Sequence, residues 1–331
     1  MVQDMRLLNK ITKKASTPLP IFENLIVSFS GAKYFSTLDM ASFFFQIRLR
    51  DEDCELTSVT TPYGLYEFRV TAMGLVNSPS TALLVMQDIL RDYIGKDVGV
   101  FMDDVIVHSA TEGDHCDTLR EILTIFRKEE LHVSLRKCHF LRKNVAFLGH
   151  IVGVHGLRAN PTRCAAIAKW PRPQTLTQLR AFLGLTSFYR RFIQGFADIA
   201  APLTSLLSAS SGFPSTPFEQ AWGEKQEGAF ITLREKLTTP PVLRLYDPAL
   251  PFVLRTDASE FAMGCALYQR HPDGSKHPIE FRSRKFTDVQ RRYTAHDREF
   301  LAVLMAVREL RCYLRGVEFT LQTDNAAVAH V

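Results

Sequence analysis

Val98-Gly99-Val100-Phe101-Met102-Asp103-Asp104-Val105-Ile106-Val107 is the stretch on which the reading of this chain turns. Two apolar runs rich in β-branched residues flank a pair of acids, a pattern that predicts two buried strands joined by a hairpin turn at the acids. Adjacent carboxylates repel each other and resist burial, so holding both at such a tip calls for a compensating cation. A divalent metal with oxygen ligands is the simplest one. An Asp pair is also ordinary turn chemistry, because Asp tolerates turn geometry. A second segment, Tyr34-Phe35-Ser36-Thr37-Leu38-Asp39-Met40, again ends a short apolar run in an acid. A two-metal site takes carboxylates from separate segments to hold ions about 3.5–4 Å apart, and Asp39 with Asp103 would supply them.

The 331 residues suffice for two or more domains, and 46% hydrophobic content is that of a packed globular chain. A net charge of +5 suits a polyanionic partner, with basic clusters at Lys10, Lys13 and Lys14, at Arg136 and Lys137, and at Arg142 and Lys143. Further clusters fall at Arg190 and Arg191, at Arg282, Arg284 and Lys285, and at Arg291 and Arg292. Each taken alone is more often just a solvated face. The six cysteines form no Cys-x-x-Cys pair, which points to reduced thiols inside a cell rather than to a zinc site or a disulfide framework. No apolar run reaches membrane-spanning length, and the charged N-terminus lacks a signal-peptide core. The expectation is a protein neither secreted nor embedded in a membrane.

Along the chain, a helix is predicted from Ser80 through Asp92, and an amphipathic helix from about Glu112 to Leu131 follows the acidic hairpin. Residues 156 to 210 read as helical, closed by Pro202, and 208 to 217 as the most linker-like stretch. Beyond it come a helix at 226–236, strands at 252–257 and 262–268, a helix at 295–313 and a strand at 319–324. In the helix Glu299 is placed on the polar side of a stripe of Phe300, Leu301, Leu304 and Val307. A second acidic set emerges: Asp257 and Asp324 at strand ends, and Glu299 on the helix.

These segments together resemble the Pol polyprotein of gypsy-type long-terminal-repeat retrotransposons, family Metaviridae, in its reverse transcriptase and ribonuclease H regions. In the family's order come Leu8-Asn9-Lys10-Ile11-Thr12, Gly31-Ala32-Lys33-Tyr34-Phe35-Ser36, Gln46-Ile47-Arg48, Met73-Gly74-Leu75-Val76-Asn77-Ser78-Pro79 and the acidic hairpin. Then follow Phe147-Leu148-Gly149-His150, Trp170-Pro171-Arg172-Pro173, Tyr189-Arg190-Arg191-Phe192-Ile193, Thr256-Asp257-Ala258-Ser259, Tyr293-Thr294-Ala295-His296-Asp297-Arg298-Glu299 and Thr323-Asp324. The resemblance covers essentially the whole chain.

It implies an α+β right-hand polymerase, with partial fingers and a palm in residues 1–155 and a thumb or connection with its linker in 156–215. A C-terminally truncated ribonuclease H-like α/β domain would occupy 216–331. It implies RNA-directed DNA polymerase activity with cleavage of RNA in RNA–DNA hybrids. Asp39, Asp103 and Asp104 would be the polymerase carboxylates, Asp39 and Asp103 the direct ligands of two Mg2+ ions, with Mn2+ as the alternative. Asp257, Glu299 and Asp324 would be three of four ribonuclease H carboxylates. Phe44 would block a 2′-hydroxyl, a role weighed against core packing beside Phe43 and Phe45. Met73 and Gly74 would border the incoming base and the template strand, and Phe147 to His150 the primer end. Arg190 and Arg191, with Tyr189, would fall in the connecting region, where a structural role stands at least level with contact to the duplex. Partners would be an RNA template, a DNA primer, deoxynucleoside triphosphates and RNA–DNA hybrid, with protease and integrase elsewhere in the polyprotein. The setting would be the cytoplasm, in a virus-like particle, with the nucleus as the alternative.

Several positions depart from the family pattern: Phe43, Phe45, Ala82 and His108 stand where it has Gly, His, Phe and an aromatic or aliphatic residue. A basic strand pair of the fingers would precede Met1, and a fourth ribonuclease H carboxylate would follow Val331. Two other expectations are therefore kept: an inactive or weakly active remnant that binds nucleic acid without turnover, and an RNA-copying polymerase on the same palm, disfavoured by Phe44.

Overall fold

The computed structural model describes residues 4–18, 20–207 and 218–323, and divides into two compact units, 1–148 and 149–331. Unit 1 is built on an antiparallel sheet of four strands in the order β4-β5-β1-β6: β1 (Tyr34–Asp39), β4 (Val98–Phe101), β5 (Asp104–Ser109) and β6 (His139–Arg142). A small hairpin of β2 (Val59–Thr61) and β3 (Gly64–Tyr66) lies outside it, and β7 (Asn144–Phe147) ends the unit. The central strand β5 is buried from Val105 through Ser109, which explains its unbroken apolar run: both faces are covered.

On one face Val105 and Val107 join Leu38, Met40, Val98 and Val100 beneath two helices, α4 (Ser78–Ile89) through Ala82 and Met86, and α5 (Glu112–Lys128) through Ile122 and Phe126. Thr111 caps α5, its hydroxyl accepting from the Asp114 amide at 3.2 Å. On the other face, the short helix α2 (Phe22–Ser28), preceded in the chain by α1 (Arg6–Ile11), leads into Phe29, which meets His108 edge-on at 4.9 Å. A one-turn helix, α3 (Asp51–Cys54), completes the set.

His108 has a consequence for acid stability. Burial, then the neighbouring His115, push its imidazole down to about 4 from an ordinary 6.5. A base whose folded-state pKa is depressed stabilises the fold above its unfolded value and withdraws that stability as pH falls toward the folded one. Unit 1 is thus expected to lose roughly 3 kcal/mol between pH 6.5 and 4 through His108. His108→Phe should flatten that slope, as read by urea unfolding followed through hydrogen exchange of β5 amides. An unchanged slope would refute the assignment.

Unit 2 opens on a hairpin, β8 (His150–Gly153) with β9 (Gly156–Ala159), so the helical reading from 156 is corrected: helices begin at α6 (Pro161–Ala168), which Asn160 caps. They continue with α7 (Leu176–Phe188) and α8 (Phe196–Ser205). Pro202 lies inside α8 rather than closing it. Past the linker-like stretch, which falls outside the described residues, come the short α9 (Phe218–Ala221) and α10 (Glu224–Thr238). The latter packs on α6 and α8 rather than on the following sheet.

That sheet runs β12-β11-β10-β13, from β10 (Phe252–Ala258), β11 (Ala262–Arg270), β12 (Lys276–Lys285) and β13 (Phe319–Gln322). The first three form a meander, and β13 returns parallel to β10 after the helical crossover α11 (Asp288–Arg291), α12 (Ala295–Glu309) and α13 (Arg311–Leu314). A parallel return needs a helical crossover of this kind.

The stripe assigned to α12 is corrected. Ala302 and Ala306 are its buried residues, whereas Phe300 and Leu304 are 51% and 59% exposed. Small residues let this helix approach the sheet closely, and Glu299, three residues before Ala302, shares that inward face.

Candidate active sites in the two units

The acidic hairpin turns at Met102-Asp103, one residue earlier than a turn centred on the acid pair, so Asp104 is already the first residue of β5 and pairs with Phe101. Met102 takes a left-handed φ of +57°, an uncommon conformation for a side chain of its size. The antiparallel register of β1 with β5 sets Asp39 directly opposite Asp104, so the two acids share a face at the end of the sheet. Asp103 is exposed in the turn, and its carbonyl accepts from the Met40 amide at 3.4 Å.

Asp39, Asp104, Lys137, His139, Phe147 and Leu148 line a pocket of about 120 Å3 at this corner. The Lys137 ammonium lies 3.1 and 3.4 Å from the two Asp39 oxygens. Burial, then the charges of Asp103 and Asp39, hold the Asp104 carboxyl above the usual carboxylate range, and Lys137 offsets this only in part. Among the described residues no three His, Cys, Asp or Glu side chains converge as a ready-made cage. Two facing carboxylates, a third in the adjoining turn and an excess of negative charge are nonetheless a donor set that fits a hard divalent cation.

Phe44 lies in a tight turn after β1, half-buried against the core cluster, while Phe43 is fully in it. Gln46 anchors this turn to the irregular segment after α5: its amide donates to the Ala41 carbonyl and, at 3.0 Å, to that of His132, and it accepts from the His132 amide at 2.7 Å. Met73 and Gly74 are exposed, and Asn9 holds their loop through the Gly74 carbonyl and the Val76 amide, each at 2.8 Å.

The four residues Phe147 to His150 behave differently from one another. Phe147 is buried, and Leu148 lines the acidic pocket. Gly149 has φ +78° and no room for a Cβ, which would meet the Phe188 ring at 2.9 Å. His150 is buried and stacked on Phe188 at 4.9 Å, its pKa pushed down to about 3 by burial and by Arg191 and Arg163. Arg190 is exposed, whereas Arg191 takes the structural one of its two expected roles. Its side chain is 11% exposed and points to Glu280, 3.6 Å away, so it is a buried ion-pair partner rather than a duplex contact.

In unit 2, Asp257 is exposed near the end of β10, and Glu299 accepts from the neighbouring Ala258 amide at 3.3 Å. The structure therefore brings β10 and α12 together at these two acids. Asp324 lies outside the described residues; β13 before it runs alongside β10 with Gln322 opposite Arg255. Asp198 of α8 adds a third acid that sequence reasoning missed. Its carboxyl is held high by burial and by the nearby Asp257, against a bond from Ser259. Lys137 had registered only as part of a basic cluster. No local pattern flags either residue, because the partner of each lies far away in the chain.

An antiparallel sheet with acids at its strand ends, followed by a second sheet with acids beside a crossover helix, defines a polymerase palm joined to a ribonuclease H-like unit. Comparison with known proteins agrees: residues 1–152 match the family model of reverse transcriptase (RNA-dependent DNA polymerase), and 222–321 that of the RNase H-like domain found in reverse transcriptase. Residues 1–152 thus belong to the reverse transcriptase family and residues 222–321 to the RNase H-like one, and the chain as a whole is similar to retrotransposon Pol polyproteins.

It is 38% identical over 96% of its length to the Pol polyprotein of transposon opus from Drosophila melanogaster, covering 32% of that protein. Likewise it is 36% identical over 98% of its length to that of transposon 297, covering 30%, and 35% identical over 98% to that of gypsy, covering 32%, both from the same organism. The chain thus spans about a third of the length of these curated relatives. In fold it matches the foamy viral protease-reverse transcriptase dRH solved with double-stranded DNA, at a TM-score of 0.85 and 23% identity over 98% of this chain and 56% of that one. The same viral enzyme solved with RNA/DNA hybrid matches at 0.81 and 23% identity, over 97% and 43%.

Proposed function

We propose that this chain copies RNA into DNA at the corner of the unit 1 sheet and cleaves the RNA of the resulting hybrid in unit 2, as part of a larger polyprotein. The observation that carries the reading is the register setting Asp39 against Asp104, with Asp103 in the adjoining turn. Asp39, Asp103 and Asp104 hold the metals, and Lys137 balances the excess charge and orients Asp39. Two Mg2+ ions, or Mn2+ in their place, would supply activation of the primer 3′-hydroxyl and neutralisation of the departing pyrophosphate. Phe44 screens the sugar against a 2′-hydroxyl, Met73 and Gly74 border the incoming base, and Leu148 bounds the primer end. The buried Phe147 backs Leu148 from within unit 1, and in unit 2 Arg190 meets the duplex backbone.

In unit 2, Asp257, Glu299 and Asp324 hold the metals for RNA cleavage, on a hybrid recognised by backbone, shape and 2′-hydroxyls. Template, primer, hybrid and deoxynucleoside triphosphates are then the partners, with protease and integrase joined to the same polyprotein. The three-part division at 155 and 215 remains our proposal for the boundaries of palm, thumb and ribonuclease H. All six cysteines are free thiols, which suits a reducing setting, and the cytoplasm is the one we propose.

Incorporation of dTTP on poly(rA)/oligo(dT) tests the reading. Synthesis should require Mg2+ or Mn2+, vanish with EDTA, and favour dTTP over UTP by a margin that Phe44→Ala narrows. Salt-sensitive hybrid binding without any incorporation would instead identify a binding remnant.

A further inference from the structure

Two elements fix the turn that follows Asp257, and only one carries an assigned acid. Glu299 of α12 receives the Ala258 amide, and Arg298 donates to the Ser259 carbonyl at 3.3 Å. From the opposite side, α8 reaches in with Asp198. The Ser259 hydroxyl donates to its Oδ1 at 2.5 Å and accepts from the amides of Phe261 at 3.0 Å and Ala262 at 2.9 Å. A hydroxyl has one proton and two lone pairs, so these three bonds saturate it. The Ala262 carbonyl, 3.1 Å away, competes for the same proton, but a carboxylate is the stronger acceptor. The first turn of α8 is itself tied down, the Ala197 amide donating to Ser283 of β12 at 2.9 Å.

We propose that Asp198 is a positioning residue for the ribonuclease H-like site, fixing through Ser259 the turn that sets the direction of Asp257. This rests on the reading of Asp257 as a catalytic carboxylate. Asp198 touches neither substrate nor metal; it couples the helical part of unit 2 to the end of β10. A carboxylate ligand must be held to within a fraction of an ångström, and a misplacement of about 1 Å can cost on the order of 100-fold in rate.

The test compares Asp198→Ala, Asp198→Asn, Ser259→Ala and the Asp198→Ala/Ser259→Ala pair in the full chain, with Asp257→Asn as reference. Cleavage of an RNA–DNA hybrid should fall roughly 10- to 100-fold in Asp198→Ala and in Ser259→Ala, and no further in the pair, because the two act as one unit. Asp198→Asn, whose amide oxygen can still accept from Ser259 but without the charge, should lose clearly less than Asp198→Ala. Independently of turnover, exchange of the Phe261 and Ala262 amides should quicken about tenfold in Asp198→Ala, the size expected for losing one hydrogen bond, and less in Asp198→Asn. Unchanged exchange in Asp198→Ala, or an Asn variant as impaired as the Ala one, would overturn the proposal. Full cleavage by Asp257→Asn would overturn the reading of the site instead, leaving the exchange result to judge Asp198.

Discussion

Asp104→Asn is expected to abolish DNA synthesis and to make unit 1 more stable, two effects of opposite sign from one atom pair. Asp104 faces Asp39 across the β1–β5 register, with Asp103 beside it and only Lys137 to offset them. The folded state therefore holds the Asp104 carboxyl above its ordinary range, first through burial and then through like charge. A carboxyl whose folded pKa is raised costs stability at neutral pH, and the cost disappears as pH falls through the folded pKa toward the unfolded one. Asparagine keeps the shape and removes the charge. The variant should be more stable than wild type at pH 7, with the difference closing on acidification.

Incorporation of dTTP should fall by on the order of 10³- to 10⁴-fold, the scale of losing one member of a catalytic set that acts as a unit. Hydrogen exchange of β5 amides in urea at pH 7 and pH 5 measures the first effect and primer extension the second. A variant that still extends primers would remove Asp104 from the site, and one less stable at pH 7 would refute the electrostatic account. Such a trade is what an acid cluster kept for catalysis rather than for stability should show.

The parts of this fold that sequence made legible are those governed by short-range pattern. The run around the acidic pair read as strands because both faces of β5 are buried, leaving no polar positions to blur it. The turn was displaced by one residue because its place depends on Met102 entering the left-handed region, which a methionine does not advertise. Glu299 was set on the wrong face of α12 because large side chains outweigh small ones in a search for an apolar stripe. The packing there uses Ala302 and Ala306, while Phe300 and Leu304 stay exposed. The role of Arg191 stayed open between structure and duplex, and Asp198 went unread, for a common reason: the partner that gives each its role, Glu280 or Ser259, reaches it only through tertiary structure.

Glu280→Ala is expected to cost unit 2 about 3–5 kcal/mol, the penalty for removing one partner of a buried charge set. Glu280 is 1% exposed on β12, with Arg282 2.7 Å and Arg191 3.6 Å from the same carboxylate oxygen. Tyr313, fully buried beside it, has its phenol pushed well above the ordinary range by burial and by Glu280, so it stays neutral and can donate to the carboxylate. Without Glu280 two guanidiniums face each other in a poorly hydrated interior with no anion between them. Replacing both sides by apolar groups should be milder than removing one, so Glu280→Leu combined with Arg191→Met and Arg282→Met should recover much of the loss. Trp170 and Trp222, the only tryptophans of the chain, both lie in unit 2, so their fluorescence during urea unfolding reports on this unit alone. A Glu280→Ala midpoint equal to that of wild type would mean that the carboxylate carries no structural charge.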